Sequence, residues 1–228
     1  MHVPDGFINA PVSLGAGVVA VAGIAVCLRG ARRELDDRTA PMAGLVAAFV
    51  FAVQMLNFPV AAGTSGHLLG GALAAILVGP YTGALCVAVV LLVQGVFFAD
   101  GGLTALGVNI IDMSLVTVVV GYLVFRGLAT VLPRSRTSIV GSAFVAALIS
   151  VPVASLAFVG LYALGGTSDV PLRSVTIAMV GVHLLIGLGE AVITAFTVGS
   201  IMAVRPDLVY GARGIAPKVE LRSSSVAA

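Results

Sequence analysis

The feature that most constrains this chain is a series of long apolar runs with very few charges in them. We place these runs at residues 12–29, 41–58, 67–79, 80–98, 104–126, 138–164 and 174–204. A helix that crosses a bilayer needs about 20 predominantly apolar residues. Only 10% of the residues are charged and 59% are hydrophobic, so a water-soluble globule would lack polar surface. The sequence therefore predicts an all-α membrane protein.

The third apolar run, residues 67–79, is short for a spanning helix and meets the fourth at Gly79-Pro80. Because proline breaks a helix interior, this pair could be a re-entrant element followed by one span, which would give six spans. Lys and Arg avoid translocated loops. With seven crossings and the N-terminus outside, every basic residue except Arg173 lies inside. We therefore predict about seven transmembrane helices, an outside N-terminus and a cytoplasmic C-terminus, although residues 67–79 need not span fully.

The chain divides into an N-terminal metal-binding loop (residues 1–11), a transmembrane helical domain (12–204) and a cytoplasmic polar tail (205–228). The first eleven residues carry two prolines and no basic region, so we expect an ordered loop and a mature start at Met1 rather than a signal peptide. The tail is expected to fray. The sequence contains no GxxxxGK[ST] phosphate-binding loop. If ATP drives transport, another subunit must hydrolyse it, and we expect no nucleic-acid partner.

Met1 and His2 together offer a compact set of nitrogen donors. The terminal amine, the deprotonated amide nitrogen of His2 and the imidazole Nδ1 of His2 can close two fused chelate rings. Nitrogen donors in one plane suit nickel(II) or copper(II), and His67, after the glycine-rich residues 63–66, could supply a fourth donor. A histidine at position 2 can equally be an incidental terminal residue, and residue types alone leave both interpretations open.

Other polar residues inside the apolar runs also allow two interpretations. His183 and Glu190 are seven residues apart, so they share one face of the last helix. They can form internal hydrogen bonds, or they can support the metal by orienting a liganding imidazole. Asp100 is predicted to begin a helix at the outer surface. Four amides could line a pathway or bridge helices: Gln54, Asn57, Gln94 and Asn109.

The opening MHVPDGF, residues 1–7, resembles the start of the CbiM/NikM family. Four later blocks are similar to that family in the same order: FAVQMLNFPV (51–60), GTSGHLLGG (63–71), DGGLTALG (100–107) and HLLIGLGE (183–190). The resemblance extends over nearly the whole chain to about residue 204. Members of this family are the substrate-capturing membrane subunits of energy-coupling-factor transporters for cobalt and nickel.

The resemblance implies a metal held by the terminal amine of Met1, the main-chain nitrogen and imidazole of His2, and the imidazole of His67. The ion, Co²⁺ or Ni²⁺, would be the transported substrate, and no organic cofactor is expected. The implied partners are a transmembrane coupling subunit, two ATPase subunits and a small accessory membrane subunit, in the cell membrane of a prokaryote. Asp112 stands where the family usually has asparagine, so no family role is transferred to it.

Two other functions have less support in the sequence. A secondary, proton-coupled transition-metal transporter could use His183, Glu190 and Asp112 as a relay, but the sequence has no evident internal repeat. An intramembrane zinc protease would need a clustered motif such as HExxH, which is absent from the sequence. We therefore favour a transport subunit without enzymatic activity that takes part in cobalt or nickel import.

Overall fold

The computed structural model describes residues 1–37, 39–56, 58–59 and 65–215. In chain order its elements are α1 (Ala10–Ala31), α2 (Thr39–Gln54), β1 (Phe58–Pro59), β2 (Ser65–Gly66), α3 (Gly71–Val78), α4 (Pro80–Phe97), α5 (Leu106–Asn109), a π-helical segment (Ile110–Val116), α6 (Thr117–Val131), α7 (Arg136–Gly165) and α8 (Leu172–Val204). The two short strands pair antiparallel. The described chain is thus mostly helical, as the apolar runs predict.

Helix α5, the π-helical segment and α6 are continuous and form one rod, Leu106–Val131. In the described residues, five helices are long and apolar enough to cross a membrane: α1, α4, this rod, α7 and α8. Helix α1 begins two residues before the predicted position. Asn9 caps it by accepting a hydrogen bond from the Val12 N–H at 3.1 Å, and Pro11 fits the first turn. Helix α2 ends at Gln54 instead of continuing to residue 58, because Phe58–Pro59 form β1.

The third apolar run differs most from its prediction. Only Gly71–Val78 are helical, and residues 67–70 form a loop. Eight helical residues rise about 12 Å, against a hydrocarbon core of about 30 Å, so α3 alone does not cross a bilayer. All eight residues are buried. The expected helix over 67–79 is therefore wrong for residues 67–70. The N–H groups of Leu69 and Gly70 and the Leu69 carbonyl bond to the side chains of Glu190 and Gln54 and not to a helical turn.

The bundle has two ends that the contacts define. At the N-terminal end, the Asn9 N–H donates to the Gly165 carbonyl at 2.7 Å, and the Thr167 N–H donates to the Phe7 carbonyl at 3.1 Å. At the opposite end, Glu34, which follows α1, accepts a hydrogen bond from the Thr82 N–H at 2.7 Å. Helices α1 and α4 therefore run antiparallel, and the loop after α7 lies beside the N-terminal residues.

The part of the tail that the structure describes is folded. Pro206–Leu208 and Tyr210–Ala212 form 3₁₀ turns, and Gly211 and Ala212 are buried. The Arg126 guanidinium donates to the Gly211 carbonyl at 3.4 Å. The prediction of a frayed tail is therefore wrong for residues 205–215, because the Pro206–Leu208 turn packs against α8 and the Tyr210–Ala212 turn packs against α3 and α6. The rest of the predicted tail, 216–228, lies outside the described residues.

Candidate metal centre

The first three residues lie inside the bundle. Met1 and Val3 are fully buried, and His2 is 4% exposed. The Val3 N–H donates to Oδ1 of Asn109 at 2.8 Å, and the Val3 carbonyl accepts from Nδ2 of Asn109 at 3.3 Å and from the Gly102 N–H at 2.8 Å. Buried peptide groups require such partners. The loop therefore enters the protein with its main chain satisfied and its position fixed.

The loop leaves the bundle at Asp5. The Asp5 carboxylate accepts hydrogen bonds from the Thr104 hydroxyl at 2.5 Å and from the Thr104 N–H at 2.8 Å, and these bonds lower the pKa of Asp5. Gly102 packs so closely on the main chain of Pro4 and Asp5 that an added Cβ would overlap it. A glycine is needed at this point because two backbones meet there.

The His2 imidazole faces two oxygen atoms. Its Nε2 lies 3.2 Å from Oε1 of Gln94, and its Nδ1 lies 3.0 Å from Oδ1 of Asp100. The second contact has the distance of an ion pair but lacks the direction of a hydrogen bond. We therefore assign the imidazole proton to Nε2, which donates to Gln94. That tautomer leaves the lone pair of Nδ1 available to a cation.

The imidazole of His67 lies against that of His2. The ring centroids are 4.5 Å apart and the ring planes are inclined by 28°. His67 is fully buried, and its Nδ1 lies 2.8 Å from the Leu68 carbonyl, to which it must be the donor. The proton is thereby placed on Nδ1, and Nε2 has no hydrogen-bond partner in the described structure. His67 thus offers a buried lone pair next to His2.

The amine of Met1 is buried beside these rings. Burial lowers the pKa of the amine to about 5, against the opposing effect of the carboxylates of Asp100 and Asp112. At neutral pH most of the amine is therefore uncharged, and its nitrogen can act as a donor to a metal.

Among the described residues, no three side chains of His, Cys, Asp or Glu converge in an arrangement that could hold a metal ion. An ion bound between His2 and His67 would therefore take further donors from the main chain. The amine of Met1 and the amide nitrogen of His2 are suitable, since with Nδ1 of His2 they close rings of five and six atoms. Four nitrogen donors of this kind suit a late first-row transition metal.

His183 and Glu190 share a face of α8 but have separate partners. Nδ1 of His183 donates to the Met179 carbonyl at 2.7 Å, and its Nε2 has no hydrogen-bond partner in the described structure. The Glu190 carboxylate accepts hydrogen bonds from the N–H groups of Leu69 at 2.6 Å and Gly70 at 3.0 Å. Glu190 therefore holds the loop that carries His67.

The predicted amides also divide by role. Nε2 of Gln54 donates to the Leu69 carbonyl at 2.7 Å, so Gln54 holds the same loop from α2. Asn109 holds the N-terminal loop through Val3. Asn57 lies outside the described residues, so its predicted role stays a prediction. Together with Glu190, Gln54 and Asn109 thus fix the two loops that bear His2 and His67.

Sequence reasoning missed the contacts of two residues. Gln94 was considered only as a bridging or pathway amide, yet it contacts His2, from which it is separated by 92 positions. Asp100 does not begin a helix, because α5 starts after Ala105 without a side-chain cap, and Asp100 faces His2 instead. The available signal for Gln94 was an amide in the last turn of an otherwise apolar helix. Asp112 is fully buried, and its carboxylate oxygens have no hydrogen-bond partner in the described structure.

The chain is similar to a known family and to several known transport proteins. Residues 2–208 match the CbiM family, described as "Cobalt uptake substrate-specific transmembrane region". A putative fused nickel transport protein, NikMN, of Archaeoglobus fulgidus is 42% identical over 210 residues, covering 92% of this chain and 68% of its own length. The cobalt transport protein CbiM of Sorangium cellulosum is 33% identical over 216 residues, covering 92% and 94%. The crystal structure of a truncated transition metal transporter superposes with a TM-score of 0.81 at 28% identity, covering 89% and 99%.

The apolar helices and these relatives define a class: a multi-pass membrane protein of cobalt or nickel transport in prokaryotes. The named relatives are transport proteins rather than enzymes. Within that class, the chain belongs to the CbiM family. The family resemblance that the opening residues and the four later blocks indicate is thereby confirmed.

Proposed function

We propose that this chain is the substrate-capturing subunit of an energy-coupling-factor ABC transporter that imports cobalt(II) or nickel(II). The observation that carries the proposal is the pairing of His2 with His67 beside a buried terminal amine. Two imidazole rings 4.5 Å apart, each with a nitrogen lone pair free of hydrogen bonds, form a site suited to a cation.

The proposed site has four nitrogen donors. They are the Met1 amine, the main-chain nitrogen of His2, Nδ1 of His2 and Nε2 of His67. The tautomers support this set, because Gln94 holds the proton of His2 on Nε2 and the Leu68 carbonyl holds that of His67 on Nδ1. Hydrogen bonds of this kind orient metal-binding imidazoles and raise their basicity. Asn109, Gln54 and Glu190 act by fixing the loops that carry the donors.

We further propose seven crossings, with the N-terminal end of the bundle outside and the C-terminus in the cytoplasm. Five crossings come from the long helical rods, a sixth comes from α2 with its 16 residues, and a seventh combines the His67 loop with α3. Basic residues support this orientation. Among the described residues, those near helix ends far from the N-terminal loop are Arg29, Arg32, Arg33, Arg126, Arg134, Arg136, Arg205 and Arg213, whereas Arg173 lies at the start of α8.

Energy for import is proposed to come from partner subunits. The sequence lacks a GxxxxGK[ST] loop, so two separate ATPase subunits, a transmembrane coupling subunit and a small accessory membrane subunit would complete the transporter. The alternative, a proton-coupled secondary transporter, needs a connected relay. Within the described residues, His183 and Glu190 bond to main-chain groups, and no hydrogen bond joins them to each other or to Asp112, which counts against such a relay.

The terminal chelate is tested by extending the chain before Met1 or by blocking the Met1 amine. Purified protein with one extra residue before Met1, or with an acetylated amine, should lose tight binding of Ni²⁺ and Co²⁺ in calorimetric titrations. A tag of the same length at the C-terminus is the control and should leave binding unchanged. Full metal affinity in the extended protein would exclude the chelate.

The proposed coupling is tested separately by metal uptake in cells. Uptake should require co-expressed ATPase subunits and should persist when a protonophore collapses the proton gradient while ATP is maintained. Uptake by this chain alone that stops with the gradient would instead support the secondary transporter.

A further inference from the structure

Helix α3 is held at both ends by a buried carboxylate from a distant part of the chain. At its N-terminal side, the Glu190 carboxylate accepts from the N–H groups of Leu69 at 2.6 Å and Gly70 at 3.0 Å. Just beyond its C-terminal side, the Glu34 carboxylate accepts from the N–H groups of Tyr81 at 3.2 Å and Thr82 at 2.7 Å. Each glutamate is 3% exposed. We call each carboxylate with its two N–H donors a clamp. The Glu190 clamp holds the loop after His67, whereas the Glu34 clamp holds the start of α4.

The Glu190 carboxylate holds the two residues that lead into α3, Leu69 and Gly70. The residue preceding α3 is Gly70, with φ of 77°, and it has no side chain to cap the helix. The carboxylate of Glu190, from α8, lies at this end of the helix and accepts from main-chain N–H groups just before it. Hydrogen bonds from main-chain N–H groups to a carboxylate are strong, and a negative charge at a helix N-terminus is favoured by the helix dipole.

The clamp acts on the loop that carries the donor nitrogen of His67. Leu69 lies two residues after His67, and both of its main-chain polar groups are held. Its N–H donates to Glu190, and its carbonyl accepts from Gln54. A binding nitrogen must be held within about 0.5 Å of its working position. We propose that Glu190 is a positioning residue for metal binding, which sets the direction of His67 toward the ion without touching it; this rests on the proposed function.

Replacing Glu190 by Gln removes this function with almost no change of volume. The Gln amide has one oxygen acceptor, so one of the two N–H groups would face an NH₂ group and lose its partner. The loop would then shift, and Nε2 of His67 would move relative to the other proposed nitrogen donors. The same substitution at Glu34 removes an equivalent clamp at the far side of α3, where the start of α4 and not the His67 loop is held.

The test compares Glu190→Gln with Glu34→Gln in the purified full chain, with Ni²⁺ alone as the probe. Three quantities are measured: the affinity for Ni²⁺, the visible ligand-field spectrum of the bound ion, and the melting temperature without metal. For Glu190→Gln we expect an affinity at least tenfold weaker than that of the unaltered chain and a shifted spectrum. For Glu34→Gln we expect a lowered melting temperature, an affinity within twofold and an unshifted spectrum.

The outcomes separate the positioning role from the proposed function. An unshifted spectrum and unchanged affinity in Glu190→Gln would overturn the positioning role, as would an equal loss in Glu34→Gln, since either result would leave only a general effect on stability. If the unaltered chain itself bound no Ni²⁺ or Co²⁺, the proposed function would fail instead.

Discussion

The side-chain amide of Asn109 makes both of its hydrogen bonds to the main chain of Val3. The distances are 2.8 Å from the Val3 N–H to Oδ1 and 3.3 Å from Nδ2 to the Val3 carbonyl. A helix in the bundle thus holds the N-terminal loop in the manner of a neighbouring β-strand. The proposed donor atoms of Met1 and His2 precede this anchor directly, so their positions depend on it.

Asn109→Ala should therefore weaken metal binding as well as the fold. The buried Val3 N–H would lose its acceptor, a loss of about 1–3 kcal/mol, and the loop would move away from His67. Thermal melting and Ni²⁺ titration of the purified variant measure the two effects. Ser114→Ala is the control, because Ser114 also makes a buried hydrogen bond, 2.7 Å to the Ala84 carbonyl, without touching the loop. Equal loss of affinity in both variants would argue against this anchor.

Gln94→Leu tests the tautomer of His2. Without Oε1 of Gln94, the proton of the imidazole is no longer held on Nε2, and a mixture of tautomers reduces the availability of Nδ1. Loss of such a supporting contact lowers metal affinity by about 10- to 100-fold. Gln94→Glu keeps an acceptor and should retain most of the affinity. The expectation fails if Gln94→Leu binds Ni²⁺ within twofold of the unaltered chain.

Gly102→Ala should displace the N-terminal loop, because the new Cβ would overlap the main chain of Pro4 and Asp5. We expect a lower melting temperature and a loss of metal affinity, measured on the same preparation. Gly127→Ala is a matched control, since nothing lies within 4 Å of the Cβ that it would add. Full affinity in Gly102→Ala would show that the loop can move without harm to the site.

The contact between Asp5 and Thr104 should make loop stability depend on pH. Hydrogen bonds from Thr104 lower the pKa of Asp5 in the folded protein below its ordinary value of 3.8. The contribution is therefore complete above pH 3.8 and is lost as the pH falls through the lower folded value. The unaltered chain should be more stable than Asp5→Asn near pH 6, and melting curves of the two should converge under strongly acidic conditions. A pH-independent difference would contradict this account.

The positions of the long helices follow from the sequence, because a bilayer requires continuous apolar runs. Composition misled at residues 67–70, since an apolar loop buried in protein has the same residue types as a helix. What distinguishes it is the Glu190 carboxylate, 120 residues or more away. The proposed chelate residues Met1, His2 and His67 are predicted by their chemistry and by the family resemblance. The contact of Gln94 with His2 joins residues 92 positions apart, so it cannot be predicted from local sequence periodicity.

Every residue of α3 is buried in protein. Helices that face lipid adapt to bilayers of different thickness by tilting, but α3 presents no side chain to lipid and has no such response of its own. A change in bilayer thickness therefore reaches the His67 loop through the two lipid-facing helices that hold it, α2 by Gln54 and α8 by Glu190. The geometry of the proposed metal site should accordingly follow the tilt of α2 and α8.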